Sequence, residues 1–165
     1  MPAKRKGRDA VLKEVLGPEN IALDVEAADW QEAVRAAGTL LVKSGQAETQ
    51  YVDAMIRNAK ELGPYIVLGP GFALPHARPE DGVKALGISM VRLRRPVNFG
   101  HKENDPVDLV FALAAVDHEM HLKALMQLSE LLGSEEAVQQ LRSAPNVAAV
   151  VSLIDQVSAD HPAEG

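Results

Sequence analysis

The chain has 165 residues, 47% of them hydrophobic, and a net charge of -6. That is enough for one real core and too little for two large domains, and the acidic balance argues against a nucleic-acid partner unless a basic face is concentrated somewhere. There is no cysteine, which excludes disulfides, thiolate nucleophiles and cysteine metal sites together, and no apolar run approaches the roughly 20 residues of a membrane helix.

A soluble cytoplasmic protein with no direct membrane insertion is therefore expected. The only dense basic cluster, Lys4-Arg5-Lys6 with Arg8, reads as a solvated, mobile end over residues 1–8. It is followed by DAVLKEVLG rather than by a secretory apolar segment. Ile21, Leu23 and Val25 then alternate with smaller or polar residues, the period of a half-buried strand. Asp29 and Glu32 have the spacing of a capping box, and Trp30, Ala33, Val34, Ala37 and Leu41 recur at helical intervals up to Gly45. A second helix is predicted from Thr49 to Leu62, with Tyr51, Met55, Ala59 and Leu62 as its apolar stripe and Gly63-Pro64 as its stop.

The next stretch, GPYIVLGPGFALPHARPEDG, organises the chain. A short strand over Tyr65 to Leu68 stops at Gly69-Pro70-Gly71, resumes as Phe72-Ala73-Leu74 and delivers Pro75-His76 into a loop of turn formers. Pro75 fixes its own φ and pushes Leu74 into an extended conformation, so His76 stands on stiff backbone. A strand is predicted over Lys84 to Leu93, with a short one over Val97 to Phe99 in the turn-rich connection that follows. Val107 to Val116, VDLVFALAAV, is nearly unbroken in its apolarity, as a central strand covered on both faces should be. Asp117 caps a helix through Leu132, Ser134 a short one to Arg142, and Asn146 a last one bearing Val147, Val150, Val151, Ile154 and Val157. Residues 159–165 read as a frayed tail. The order of elements implies an α/β sandwich, a central mixed β-sheet flanked by helices, as a single domain over residues 1–165.

Chemistry falls to the five histidines. His161 lies in the polar tail, and His101 sits in a polar loop where an ordinary exposed residue is the favoured reading. Around His76, Gly69 and Gly71 permit close approach of a ligand and Arg78 lies two residues away. The ring could be a general base, a metal ligand or a covalent phosphoryl acceptor. His118 and His121 flank Glu119-Met120; their spacing allows zinc but lacks the i, i+4 geometry of HExxH and a third ligand. His121 shares a stripe with Leu125, Leu128 and Leu132, which points it toward the sheet, where the helix N-terminus disfavours its cationic form. It is either a hydrogen-bonded core histidine or a ring that meets His76 at the C-terminal end of the central strand.

LGPGFALPHARPEDGV, together with RPVNFGHKENDPVDLVFALAAVDHEMHLKALMQLSELL, resembles the enzyme IIA component of the sugar phosphotransferase system, in its mannitol/fructose superfamily and most closely the ascorbate-type branch. The resemblance covers roughly Ile21 to Ile154. It implies a phosphocarrier: the histidine of the PH motif, here His76, takes a phosphoryl group from the phosphohistidine of the small carrier HPr. It passes that group to a cysteine of a IIB component, which serves a membrane IIC component. The family's supporting histidine matches His121. The mannitol-type branch also has an arginine late in the second helix, whose nearest counterpart is Arg57, at a longer spacing from the PH motif. Arg78 could add charge if it turns inward. No metal, nucleotide or other cofactor is implied, and a phosphorylation-dependent regulatory binding module is the alternative within the same fold.

Overall fold

A computed structural model describes residues 12–160; the basic N-terminal cluster and His161 lie outside the described residues. Five strands, β1 (Ile21–Val25), β2 (Val67–Gly69), β3 (Phe72–Ala73), β4 (Gly87–Val97) and β5 (Val107–Ala114), form one sheet in the order β1-β4-β5-β3-β2. β4 runs antiparallel to β5 and parallel to β1, and β3 runs parallel to β5 and antiparallel to β2. The mixed sheet expected from the element order is thus observed, with the apolar run at its centre.

The helices are α1 (Leu12–Val15), α2 (Trp30–Lys43), α3 (Thr49–Leu62), α4 (His118–Leu132), α5 (Glu135–Ser143) and α6 (Val147–Asp160). Side chains alternate across a strand, and in β5 this splits an all-apolar run between two cores. Leu109, Phe111 and Leu113 pack with α1, α4, α5 and α6, while Val110, Ala112 and Ala114 pack with α2 and α3. On the second face α2 lies close to α3: a Cβ added at Gly38 would come within 2.8 Å of the Met55 methyl and 2.9 Å of Val52.

The caps form where short polar side chains precede apolar runs. Asp29 accepts from the Glu32 N–H (2.9 Å), Asp117 from Met120 (2.8 Å), Ser134 from Ala137 (3.1 Å) and Asn146 from Ala149 (2.9 Å). The predicted capping box is displaced by one residue, because the Glu32 carboxylate accepts from the Ala28 N–H rather than from Asp29.

Four elements differ from expectation. The strand expected over Tyr65 to Leu68 is shifted to Val67–Gly69, because the proline at the start of Pro64–Ile66 opens a 3-10 turn there. Leu12–Val15, within the segment after the basic cluster, is one helical turn with Leu12 and Val15 buried. β4 starts only at Gly87 and continues to Val97, so the short strand expected from Val97 is the end of β4, reached through a register shift against β5 between Arg92 and Val97. Pro96 has no N–H for the ladder and falls in that irregular stretch. α6 extends to Asp160, two residues into the expected tail.

Both ion pairs with the least exposed partners sit where β5 begins. Arg92 donates to the carbonyls of Leu141, Arg142 and Ala144 (3.0, 3.2 and 2.9 Å), closing the C-terminus of α5, and to Asp24 at 3.3 Å. Arg142 holds Asp108 (Nε to Oδ2, 3.0 Å) and the Pro70 carbonyl (2.9 Å), fastening the β2–β3 turn to β5. Gly71 has φ +81° at that turn, and a side chain there would overlap the Arg142 guanidinium.

Candidate functional site

Beyond β3 the chain stays alongside β5 for one more rung. The Leu74 N–H donates to the Ile66 carbonyl (2.8 Å), the Leu113 N–H donates to the Pro75 carbonyl (3.0 Å), and His76 forms an isolated parallel bridge with Leu113. Leu74 and Pro75 are buried while His76 is half-buried. Strand pairing below and proline before it thus leave the ring standing at the end of the sheet, as the stiffness of Pro75 led one to expect.

The Nδ1 atom of His76 lies 2.9 Å from the Leu74 carbonyl oxygen. A carbonyl can only accept, so Nδ1 carries a proton, and in the neutral ring Nε2 keeps its lone pair. The structure brings His121 to this ring: the two centroids are 5.1 Å apart, with the planes inclined at 56°. Tyr65 stands edge-on to His76 on another side, at 6.1 Å and 78°.

His121 projects from the first turn of α4, which Asp117 caps. Its pKa is lowered from the ordinary value by burial, and further by the neighbouring His76 and His118. A neutral imidazole at the helix N-terminus, beside amides that favour an anion, is an N–H donor rather than a cation. The buried stripe of α4 is Met120, Ala124, Leu128 and Leu131. It is rotated from the predicted stripe, and His121 lies at its edge, half-buried and facing His76 instead of filling the core.

Three other candidates, Arg57, Arg78 and His118, are more exposed than the pair. Arg57 is exposed on α3, and Arg78 is exposed just past the loop, with its backbone N–H donating to Asp81 (3.0 Å). His118 is exposed. His101 organises its own loop, its Nδ1 accepting from Asn104 (3.1 Å). Among the described residues no group of three or more histidine and carboxylate side chains converges as metal ligands.

Two features had no residues assigned to them from the sequence: a support beneath the His76 loop, and the apolar rim expected for docking partners. Tyr51, read there only as part of an apolar stripe, is fully buried with its hydroxyl beneath the His76 loop. It donates to the Leu113 carbonyl (2.6 Å) and accepts from the Ala77 N–H (3.0 Å). A buried phenol needs such partners, and that was the available signal. The second is the apolar surface nearby. Leu68, Leu122 and Met126 are 54%, 48% and 66% exposed. Beside them, between the β2–β3 hairpin and α4, runs a groove of about 200 Å³ whose lining includes Leu68, Phe72, Leu74, Leu125, Leu128 and Leu132.

Comparison with known proteins matches this architecture. Residues 14–157 match the family described as phosphoenolpyruvate-dependent sugar phosphotransferase system, EIIA 2. The ascorbate-specific PTS system EIIA component of Escherichia coli (strain K12) is 42% identical over 142 residues, covering 86% of this chain and 92% of the relative. Among solved structures, a putative PTS IIA (PtxA) from Streptococcus mutans superposes with a TM-score of 0.80 at 32% identity, over 90% of this chain and 94% of that one. The complex of enzyme IIAMTL and phosphorylated enzyme IIBMTL from Escherichia coli contains a chain matched with a TM-score of 0.76 at 35% identity, over 85% of this chain and 96% of that one. A histidine pair at the end of a mixed sheet, with a match over nearly the whole chain, places the protein in the EIIA 2 family of the sugar phosphotransferase system, whose members are phosphotransferases that relay phosphoryl groups between proteins.

Proposed function

We propose that His76 is the residue that carries the phosphoryl group, through Nε2. The observation that carries this reading is the Nδ1 contact with the Leu74 carbonyl, which leaves Nε2 as the one ring nitrogen with a free lone pair. In the step, the Nε2 lone pair attacks the phosphorus of a donor phosphohistidine. A new N–P bond forms as the donor's N–P bond breaks, and the electron pair of the old bond returns to the donor ring. Nδ1 keeps its proton on Leu74 throughout, so no net proton transfer is required. Phosphoryl transfer asks mainly for positioning and charge stabilisation. Neutral His121 supplies an N–H to the phosphoryl oxygens, and the amides that open α4 add to it.

The donor is HPr, and the acceptor is a cysteine of a IIB component, which loads a membrane IIC transporter. The exposed Leu68, Leu122 and Met126 form an apolar rim on which the two partners dock in turn. The IIA–IIB complex of the mannitol-type relative supports the acceptor, and the ascorbate-specific relative supports ascorbate or a related acid sugar as the cargo. Such a carrier works in the cytoplasm; no described helix is long and apolar enough to cross a membrane.

Incubation with enzyme I, HPr and phosphoenolpyruvate is expected to label the wild type and leave His76→Ala unlabelled. Label retained by the variant would refute the assignment. Onward transfer to a IIB protein is the expected second result, and label that never leaves would favour a regulatory module instead.

A further inference from the structure

Tyr51 occupies an unusual place in the sheet. In a parallel ladder, the bridge between His76 and Leu113 would use two backbone bonds: Leu113 N–H to the Pro75 carbonyl, and Ala77 N–H to the Leu113 carbonyl. The first is present at 3.0 Å. In place of the second stands a side chain, since the Ala77 N–H donates to the Tyr51 hydroxyl at 3.0 Å and that hydroxyl donates to the Leu113 carbonyl at 2.6 Å. One phenolic oxygen thus joins the two strands in the last rung, immediately after His76. The alternative acceptor, the Ala77 carbonyl, lies farther away at 3.3 Å.

We propose that Tyr51 is a positioning residue for His76: its hydroxyl sets where the chain leaves β5, and so holds the imidazole with Nδ1 on Leu74 and its face toward His121. Pro75 and the Leu113–Pro75 bond restrain the backbone before the ring. The Tyr51 rung restrains it directly after, so both sides of one residue are fixed. Burial pushes the Tyr51 phenol up to about 12, so the hydroxyl remains a donor across the working pH range.

The kinetic part of this inference rests on His76 being the phosphoryl acceptor; the tautomer part does not. Tyr51→Phe keeps the buried ring and removes only the relay atom. Nitrogen NMR of the wild-type imidazoles, recorded at a pH where the rings are deprotonated, should show one His76 tautomer, protonated at Nδ1. The variant should show a mixture of both tautomers and a roughly tenfold slower initial labelling by phospho-HPr, as expected for a displaced acceptor. A folded Tyr51→Phe protein with an unchanged tautomer and an unchanged rate would overturn the proposal. If His76 proves not to be labelled in the wild type, the acceptor reading fails while the tautomer comparison still decides the role of Tyr51. If the variant does not fold, the wild type decides: a slowly exchanging Tyr51 hydroxyl proton with a cross-peak to the Ala77 amide is expected, and its absence would overturn the proposal.

Discussion

Where β5 begins, charged side chains do the fastening: Arg92 gathers three carbonyls at the end of α5 together with Asp24, and Arg142 joins Asp108 to the Pro70 turn. Where β5 finishes, the fastening is neutral: a proline carbonyl on Leu113, a tyrosine hydroxyl in the last rung, and an imidazole proton on Leu74. The guanidinium fork suits the first task because one group can satisfy several acceptors at once. The second task is different. A carrier must release what it accepts, and a fixed cation against the phosphoryl group would favour the loaded state over both transfer steps. In the proposed carrier, neutral donors would hold the group without trapping it.

This contrast can be broken most easily at the charged end. Arg92→Met should cost about 3 kcal/mol, because it strands the α5 carbonyls in a buried site. The thermal midpoint should fall by roughly 6–12 °C, while labelling by phospho-HPr at 25 °C stays near the wild-type rate. A large loss of rate at unchanged stability would mean that the two ends are not separable.

The neutral end should respond the other way. His121→Ala is expected to keep the fold and to slow phosphoryl acceptance roughly tenfold, equivalent to about 1.4 kcal/mol in the transition state. Unchanged transfer kinetics would remove His121 from the site.

The smallest effect expected is on the pH dependence of stability. The folded-state pKa of His121 is lowered, so below about pH 6.5, the ordinary histidine value, the unfolded chain binds a proton that the folded chain resists. Stability should therefore decline as the pH falls from about 6.5 toward the lowered folded value, and His121 should contribute no slope above that window. Thermal midpoints against pH for the wild type and His121→Gln test this, and the variant should show a shallower acid decline. Parallel curves would show that His121 is not held neutral by the fold.

Much of this arrangement was legible in the sequence because the responsible forces are local. Asp29, Asp117, Ser134 and Asn146 each cap a helix through an N–H three residues on, so the signal and its partner fall in one short window. The central position of β5 followed from an apolar run that only a strand covered on both faces can use. Leu12–Val15 was not legible, since a single turn has no helical stability of its own and depends on packing against the core. Within the site, the meeting of His76 with His121 followed from the strand end and the helix start that carry them. The role of Tyr51 did not, because its partners are Ala77 and Leu113, 26 and 62 positions away. The stripe on α4 was misread by a fraction of a turn: Met120, Ala124, Leu128 and Leu131 are the buried set, and that small rotation is what keeps His121 half in solvent, where a partner can reach it.

Gly38 gives the seam between α2 and α3 a meaning beyond packing. Its missing side chain lets α3 settle against α2 at Val52 and Met55, and Val52 is the immediate neighbour of Tyr51. The seam that Gly38 allows and the oxygen in the last rung of the sheet are thus carried by adjacent residues of one helix, Val52 and Tyr51. On the proposed reading, the helix that braces the phosphoryl-accepting ring is itself seated against α2 through the space a glycine leaves.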